Sequence, residues 1–300
     1  MVIAAPSRSR LVKSSVKPCG ARYNPPMDTF FGRITVMCFA ASYAVAFGLE
    51  LWHMLRPRPI LRIIALGFGA AGLFAHIAYL IWQSTMVDSL LSLASPTGSL
   101  LFLALILAVF YVGEAVHHGR IAWALFVLPV VLGLIGLAYV LSRPDEPAGS
   151  WQSFWGIAHG VLLLLAAVGV SIGFIASVMY LVQLRRLQAK LPPSQGLPLF
   201  NLERLELMNR RAILWSFPLL TAGLLAGFVL QWSNDPLPRD LFSVRIVSVV
   251  GLWVVFAILL YLRYRVHVRG RQLALWTMVA FAILVLALVS PHSFVQGGGP

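Results

Sequence analysis

The sequence predicts an all-α fold, a polytopic transmembrane helical bundle of about eight spans, and three observations carry that prediction. Of the 300 residues, 59% are hydrophobic and 11% charged, whereas a water-soluble domain carries about 25% charged residues. The apolar residues are gathered into runs of roughly 20, the length needed to cross a hydrocarbon core of about 30 Å. Lysines and arginines stand at the ends of those runs, and most of them fall on alternate ends, as the positive-inside bias requires.

Residues 1 to 26 form a polar segment with Arg8, Arg10, Lys13, Lys17 and Arg22 and a closing Asn24-Pro25-Pro26. The segment lacks an apolar core of signal-peptide length, and its composition predicts disorder. Apolar runs follow at 30–54, 61–83, 97–116, 121–142, 154–184, 212–232, 241–262 and 272–290, so residues 27 to 300 read as a single transmembrane domain. The fifth run shows the plan most fully. Trp151 and Trp155 form an aromatic rim, His159 follows, no charged residue occurs from Ile157 to Leu184, and Arg185, Arg186 and Lys190 end the run. Gly160, Gly169 and Gly173 within it would weaken a water-exposed helix, but in lipid they let neighbouring helices approach.

The connections are short except for residues 185 to 211. This stretch carries Pro192-Pro193, Gly196 and Pro198, then Leu202-Glu-Arg-Leu-Glu-Leu-Met-Asn-Arg-Arg. That pattern predicts a cytoplasmic connection ending in a short amphipathic helix on the inner membrane surface.

Counting basic residues on alternate sides orients the chain. Arg56, Arg58, Arg62, Arg120, Arg185, Arg186, Lys190, Arg204, Arg210, Arg211, Arg263, Arg265, Arg269 and Arg271 share the inner side, against Arg143, Arg239 and Arg245 outside. Eight spans put both termini outside, which conflicts with the basic N-terminal segment. The reading that removes the conflict is that residues 1 to 26 are absent from the mature protein, with Met27 as the start.

Composition and motifs exclude several functions. The formal net charge of +13 sits where membrane topology puts it, so nucleic acid is not an expected partner. Cys19 and Cys38 make no disulfide framework, and the absence of CxxCH means the chain attaches no c-type haem to itself. There is no Walker loop and no HExxH. Few of the ten acidic residues fall inside apolar runs, and the two halves show no inverted repeat of transporter type.

Histidines hold most of the remaining chemistry. On this topology His159 lies at the outer end of the fifth helix and His292 just past the outer end of the eighth. Two neutral imidazoles at one level can ligate a haem iron axially. Trp151, Trp155 and Trp232 offer an aromatic platform, and Arg143, Arg239 and Arg245 offer cations for propionates. The plainer reading is an interfacial rim of anchoring aromatics and hydrogen-bonded histidines. His76 lies deeper, about two turns inside the second helix, as a third ligand or, more readily, a helix-to-helix hydrogen bond. His117 and His118 beside Arg120 read as a solvated inner rim, and His53, Glu50 and Glu114 as an inner polar cluster.

Three segments in this order, Tyr180-Leu-Val-Gln-Leu-Arg-Arg-Leu, Leu202-Glu-Arg-Leu-Glu-Leu-Met-Asn-Arg-Arg and Phe217-Pro-Leu-Leu-Thr-Ala-Gly-Leu-Leu-Ala-Gly, resemble the cytochrome c assembly membrane family, in its CcsA-like and HemX-like branches. Trp253-Val-Val-Phe-Ala, Leu262-Arg263, Arg269-Gly-Arg and His292-Ser-Phe continue the likeness, loosely over residues 30 to 294 and well over 151 to 294. The resemblance implies a bacterial inner-membrane type of protein that carries haem b as transient cargo and presents it outward. Its implied partners are an assembly protein and apocytochrome c. It matches His159 and His292 to the family's outward histidines, which flank a tryptophan-rich loop.

The corresponding region here, Gln231 to Arg245, keeps only Trp232, with Asp235-Pro236 a shifted remnant and Arg245 in the place of a basic residue. The intramembrane histidine that the family carries one residue before Leu262-Arg263 is Tyr261 in this chain, a haem ligand or an interfacial anchor. The functional expectation is a non-enzymatic haem-handling protein of cytochrome c biogenesis, any covalent attachment depending on a partner. The alternative is a structural membrane subunit that keeps the fold and binds no haem.

Overall fold

The computed structural model describes residues 35–56, 58–86, 96–117, 123–142, 154–190, 200–234, 244–262 and 270–289. Among them are eight α-helices: α1 Val36–Leu55, α2 Pro59–Met86, α3 Pro96–His117, α4 Ala124–Leu141, α5 Phe154–Gln188, α6 Leu202–Asn234, α7 Val244–Tyr261 and α8 Gly270–Val289. Seven of them are long and apolar enough to cross a membrane, and the eighth, α7, is a shorter apolar helix. The all-α polytopic bundle expected from the sequence is what the chain forms. Expectations that fall on residues 1–26, His118, Arg120, Arg143, Trp151, Arg239 and His292 lie outside the described residues.

Helices form here because lipid offers the backbone no hydrogen-bond partner, and their order of packing follows the chain. α1 lies on α2, α3 on α4, α5 on α6 and α7 on α8; α1·α4 and α2·α3 contacts tie the first four together, and α5·α8 and α6·α7 the last four. The two groups meet where α5 touches α3 and α4 and where α8 touches α3. At the centre of the first group Leu100, Leu103, Leu107, Val127, Leu128 and Val131 are fully buried. Large apolar side chains also cover the outside, as with Val140, Phe154 and Trp215. Burial of apolar area therefore does not distinguish inside from outside here; close van der Waals fit and interhelical hydrogen bonds do.

That fit is tightest between α5 and α6. A Cβ on Gly169 would collide with Ser216 Oγ, and one on Gly173 would lie 3.3 Å from both Ala212 Cβ and Thr277 Cγ2. Beside these glycines a polar cluster joins three helices. Asn209 Nδ2 donates to Ser177 Oγ (3.0 Å), and Thr277 Oγ1 lies 3.2 Å from Asn209 Oδ1. Ser177 passes its own proton to Gly173 O at 2.8 Å. Farther out, Trp253 Nε1 on α7 donates to Thr221 Oγ1 on α6 at 3.0 Å, and Phe174 stacks on Phe281 across α5 and α8 with centroids 4.1 Å apart.

Residues 202–211 are the first turns of α6, which runs unbroken from Leu202 to Asn234, rather than a separate short helix. Leu205, Asn209, Ala212, Ile213 and Ser216 are all buried and recur at helical spacing along one face. That face continues along α6 without a shift of phase. Pro218 lies inside α6 and does not end it. At the other end of the connection, α5 extends to Gln188 and closes where Lys190 takes φ 50°, the left-handed region.

A histidine held against a glycine pair on the paired helices

His159 sits on the second turn of α5, half-buried, and its neighbours are on α6. Its Nδ1 lies 2.7 Å from Gly223 O. A carbonyl oxygen only accepts, so Nδ1 carries the proton and donates it. In the neutral ring Nε2 is then the lone-pair nitrogen, which is how a second partner fixes the tautomer of a metal-binding histidine. One turn farther along α6, Gly227 makes room for the ring: a Cβ there would stand 2.6 Å from both Cε1 and Nδ1 of His159. Gly223 itself is closed in by Leu163, whose Cδ2 would be 2.7 Å from an added Cβ. The imidazole is thus set by a hydrogen bond to one glycine and by the missing side chain of the next.

Aromatic residues flank this position along both helices. Trp155 precedes His159 by one turn, meets Phe154 edge-on at 5.6 Å and is 44% exposed. Trp232 lies at the same end of α6, tilted against Phe228 at 6.2 Å and 64% exposed. Exposed indoles at one end of a helix pair offer a surface on which a flat apolar ligand can rest. Arg245 falls in the first turn of α7, but its side chain, like Arg239 and His292, lies outside the described residues.

The remaining candidates go elsewhere. His76 is fully buried on α2, stacked on Phe39 with centroids 4.2 Å apart and planes within 5°, and edge-on to Tyr43 at 6.1 Å. Its neighbours are those α1 rings, and no described side chain gives it the helix-to-helix hydrogen bond expected from the sequence. Tyr261 ends α7 with 62% of its surface exposed, at the helix end opposite to that level with His159. His117 bonds Gly113 O within its own last turn at 2.9 Å and is exposed, as a rim residue would be. Among the described residues no group of three or more His, Cys, Asp or Glu could hold a metal ion.

Two short strings that match catalytic motifs prove inert in this context. Gly67-Phe-Gly-Ala-Ala-Gly matches a dinucleotide fingerprint, but it lies inside α2 rather than between a strand and a helix. Gly169-Val-Ser-Ile-Gly matches a nucleophile elbow, but Ser171 is fully buried in α5 and donates to Ala167 O at 2.8 Å. Sequence reasoning missed the roles of Gly223 and Gly227. The available signal was their spacing of four in an apolar run, the pattern that brings helices together.

With this geometry in place, comparison with known proteins is specific. Residues 63–297 match the family model described as Cytochrome C assembly protein. The chain is 23% identical over 277 residues to Cytochrome c biogenesis protein CcsA of Guillardia theta, covering 83% of this chain and 89% of that protein. It is 25% identical over 185 residues to Protein HemX of Brevibacillus brevis, covering 57% of this chain and 64% of HemX, so it spans just under two thirds of that relative. In fold it is similar to Cytochrome c Heme Lyase CcmF, with a TM-score of 0.59 and 16% identity, covering 92% of this chain and 49% of CcmF. An apolar helical bundle matched by that model over most of its length identifies the chain as an integral membrane protein of the cytochrome c assembly family, with a role in cytochrome c biogenesis.

Proposed function

We propose that the chain handles haem during cytochrome c biogenesis and presents it at the outer face of a bacterial inner membrane. The observation that carries this reading is the hydrogen bond of His159: with Nδ1 donating to Gly223 O, Nε2 is the nitrogen that would meet an iron. His159 and His292 would hold the iron, Trp155 and Trp232 would offer the platform, and Arg239 and Arg245 the partners of the propionates. These residues fit haem b as transient cargo: a neutral imidazole, an apolar flat surface and cations are the groups it requires. When bound, haem supplies the reactive vinyl groups and the iron; the chain binds, orients and shields. Attachment to apocytochrome c would depend on an assembly partner, since none of the described residues at this end of α5 and α6 is a cysteine. His76 and Tyr261 have no part in this site.

The test is absorbance of native, detergent-extracted protein. We expect a Soret band in the wild-type chain and its loss in His159→Ala combined with His292→Ala. A band unchanged by both substitutions would remove these histidines from the site. A second reading, a structural subunit without haem, is favoured by the single tryptophan left between Gln231 and Arg245; absence of haem from native protein would select it.

A further inference from the structure

Three polar side chains from three helices meet inside the first half of the bundle with no hydrogen-bond partner among the described residues. They are Tyr43 of α1, His76 of α2 and Tyr111 of α3, each 0% exposed. Their arrangement is ordered by one face of α2, on which Gly69, Gly72 and His76 follow at spacings of three and four. A Cβ on Gly69 would lie 2.6 Å from Tyr111 Cε1, and one on Gly72 would lie 3.0 Å from Tyr43 Cε1. The two glycines therefore admit the two phenols, and the next position on the face is the histidine, 6.1 Å from the Tyr43 ring.

Toward the inner end the same face begins at Arg62, whose guanidinium donates to Ala115 O of α3 at 2.8 Å. Tyr111 lies near Glu50 and Arg62, and Tyr43 near Tyr111. Polar groups thus run in file from Glu50 and Arg62, past Tyr111 and Tyr43, to His76. Of the other titratable groups nearby, Tyr79 tilts against Phe39 at 5.6 Å, and His53 of α1 lies close to Glu50. α4, packed on α1 and α3, contributes only apolar residues and the exposed Tyr139.

Dry burial of such groups is costly, whereas phenylalanine or leucine would fill the same space without penalty. Polar interiors with several unsatisfied donors and acceptors are where ordered water binds, each molecule meeting two to four partners. We propose that α1, α2 and α3 enclose a file of bound water reaching from the inner face, at Glu50 and Arg62, to His76. Within a membrane, hydrated files of ionisable and phenolic groups are also what proton movement requires. The inference stands apart from the haem reading, because it uses none of the residues of the α5/α6 site.

Hydroxyl-radical labelling of the full chain in detergent, read by mass spectrometry, tests it. Radicals form from water in place, so Tyr43, Tyr111 and His76 should be labelled several-fold faster than Phe256 and Met179, which are equally buried. Labelling at or below those controls overturns the proposal. The conservative pair Tyr43→Phe with Tyr111→Phe provides a second readout. Loss of water-held hydroxyls lowers the unfolding midpoint and brings His76 labelling down to the controls. A raised midpoint, the result for dry unsatisfied hydroxyls, would overturn the file.

Discussion

In the second half of the bundle Asn209 reaches Ser177 on α5 and Thr277 on α8, and His159 reaches Gly223 on α6. In the first half Tyr43, His76 and Tyr111 are fully buried and have no hydrogen-bond partner among the described residues. The same kinds of side chain, in the same apolar surroundings, are used differently. Between α5, α6 and α8 polar groups hold helices together, and each hydrogen bond fixes a geometry that a site can use. Among α1, α2 and α3 they line an interior and leave their donors and acceptors open to a small ligand.

Substitutions can break this contrast. The largest effect is expected from Gly169→Leu, because the added side chain must displace Ser216 and with it α6. Overpacking of this kind costs about 1–3 kcal/mol, read as a lower unfolding midpoint in detergent. Gly67→Leu on α2, where an added Cβ meets nothing within 4 Å, should leave the midpoint nearly unchanged. Next comes Gly227→Ala. It places a methyl on the His159 ring and should lower haem affinity by about 10–100-fold, the usual range for groups that orient a ligating histidine, in a haem titration followed by absorbance. Unchanged affinity would mean that α6 does not set that ring.

Asn209→Ala should cost about 1–2 kcal/mol, since it leaves Ser177 and Thr277 without their shared partner. If it costs less than Tyr43→Phe, the division between gluing and lining polar groups fails. The smallest shift, about 0.6 kcal/mol, is expected for Thr221→Val, which removes the acceptor of Trp253 Nε1 and the hydroxyl's own donation to Phe217 O within α6. A larger loss there would show that α7 depends on this bond more than on its packing.

The helices were legible because lipid leaves the backbone one option and length does the rest. All eight runs became helices, α3 and α8 within two residues at each end. The exception, the start of α6, was hidden for a physical reason: Glu203, Arg204, Arg210 and Arg211 gave the segment an amphipathic look, while Leu205 and Asn209 carried its docking face. His159 could be singled out from its place at the head of a long apolar run. Gly223 and Gly227 could not, because a glycine in a membrane helix signals close approach without naming what approaches. The file through α2 was less visible still. Arg62, Gly69, Gly72 and His76 share a face, yet that face has meaning only when Tyr43 and Tyr111 are known to stand opposite.

α5 has one more consequence, a mechanical one. Its 35 residues span about 52 Å, against a hydrocarbon core of roughly 30 Å, and no proline interrupts it. From His159 to Gln188 it is one continuous helix of about 44 Å. Its companion α6 contains Pro218, so the two rods differ in stiffness. A twist or thrust applied to the basic end of α5 reaches the His159 imidazole along one continuous helix, which ties the two ends of the bundle together.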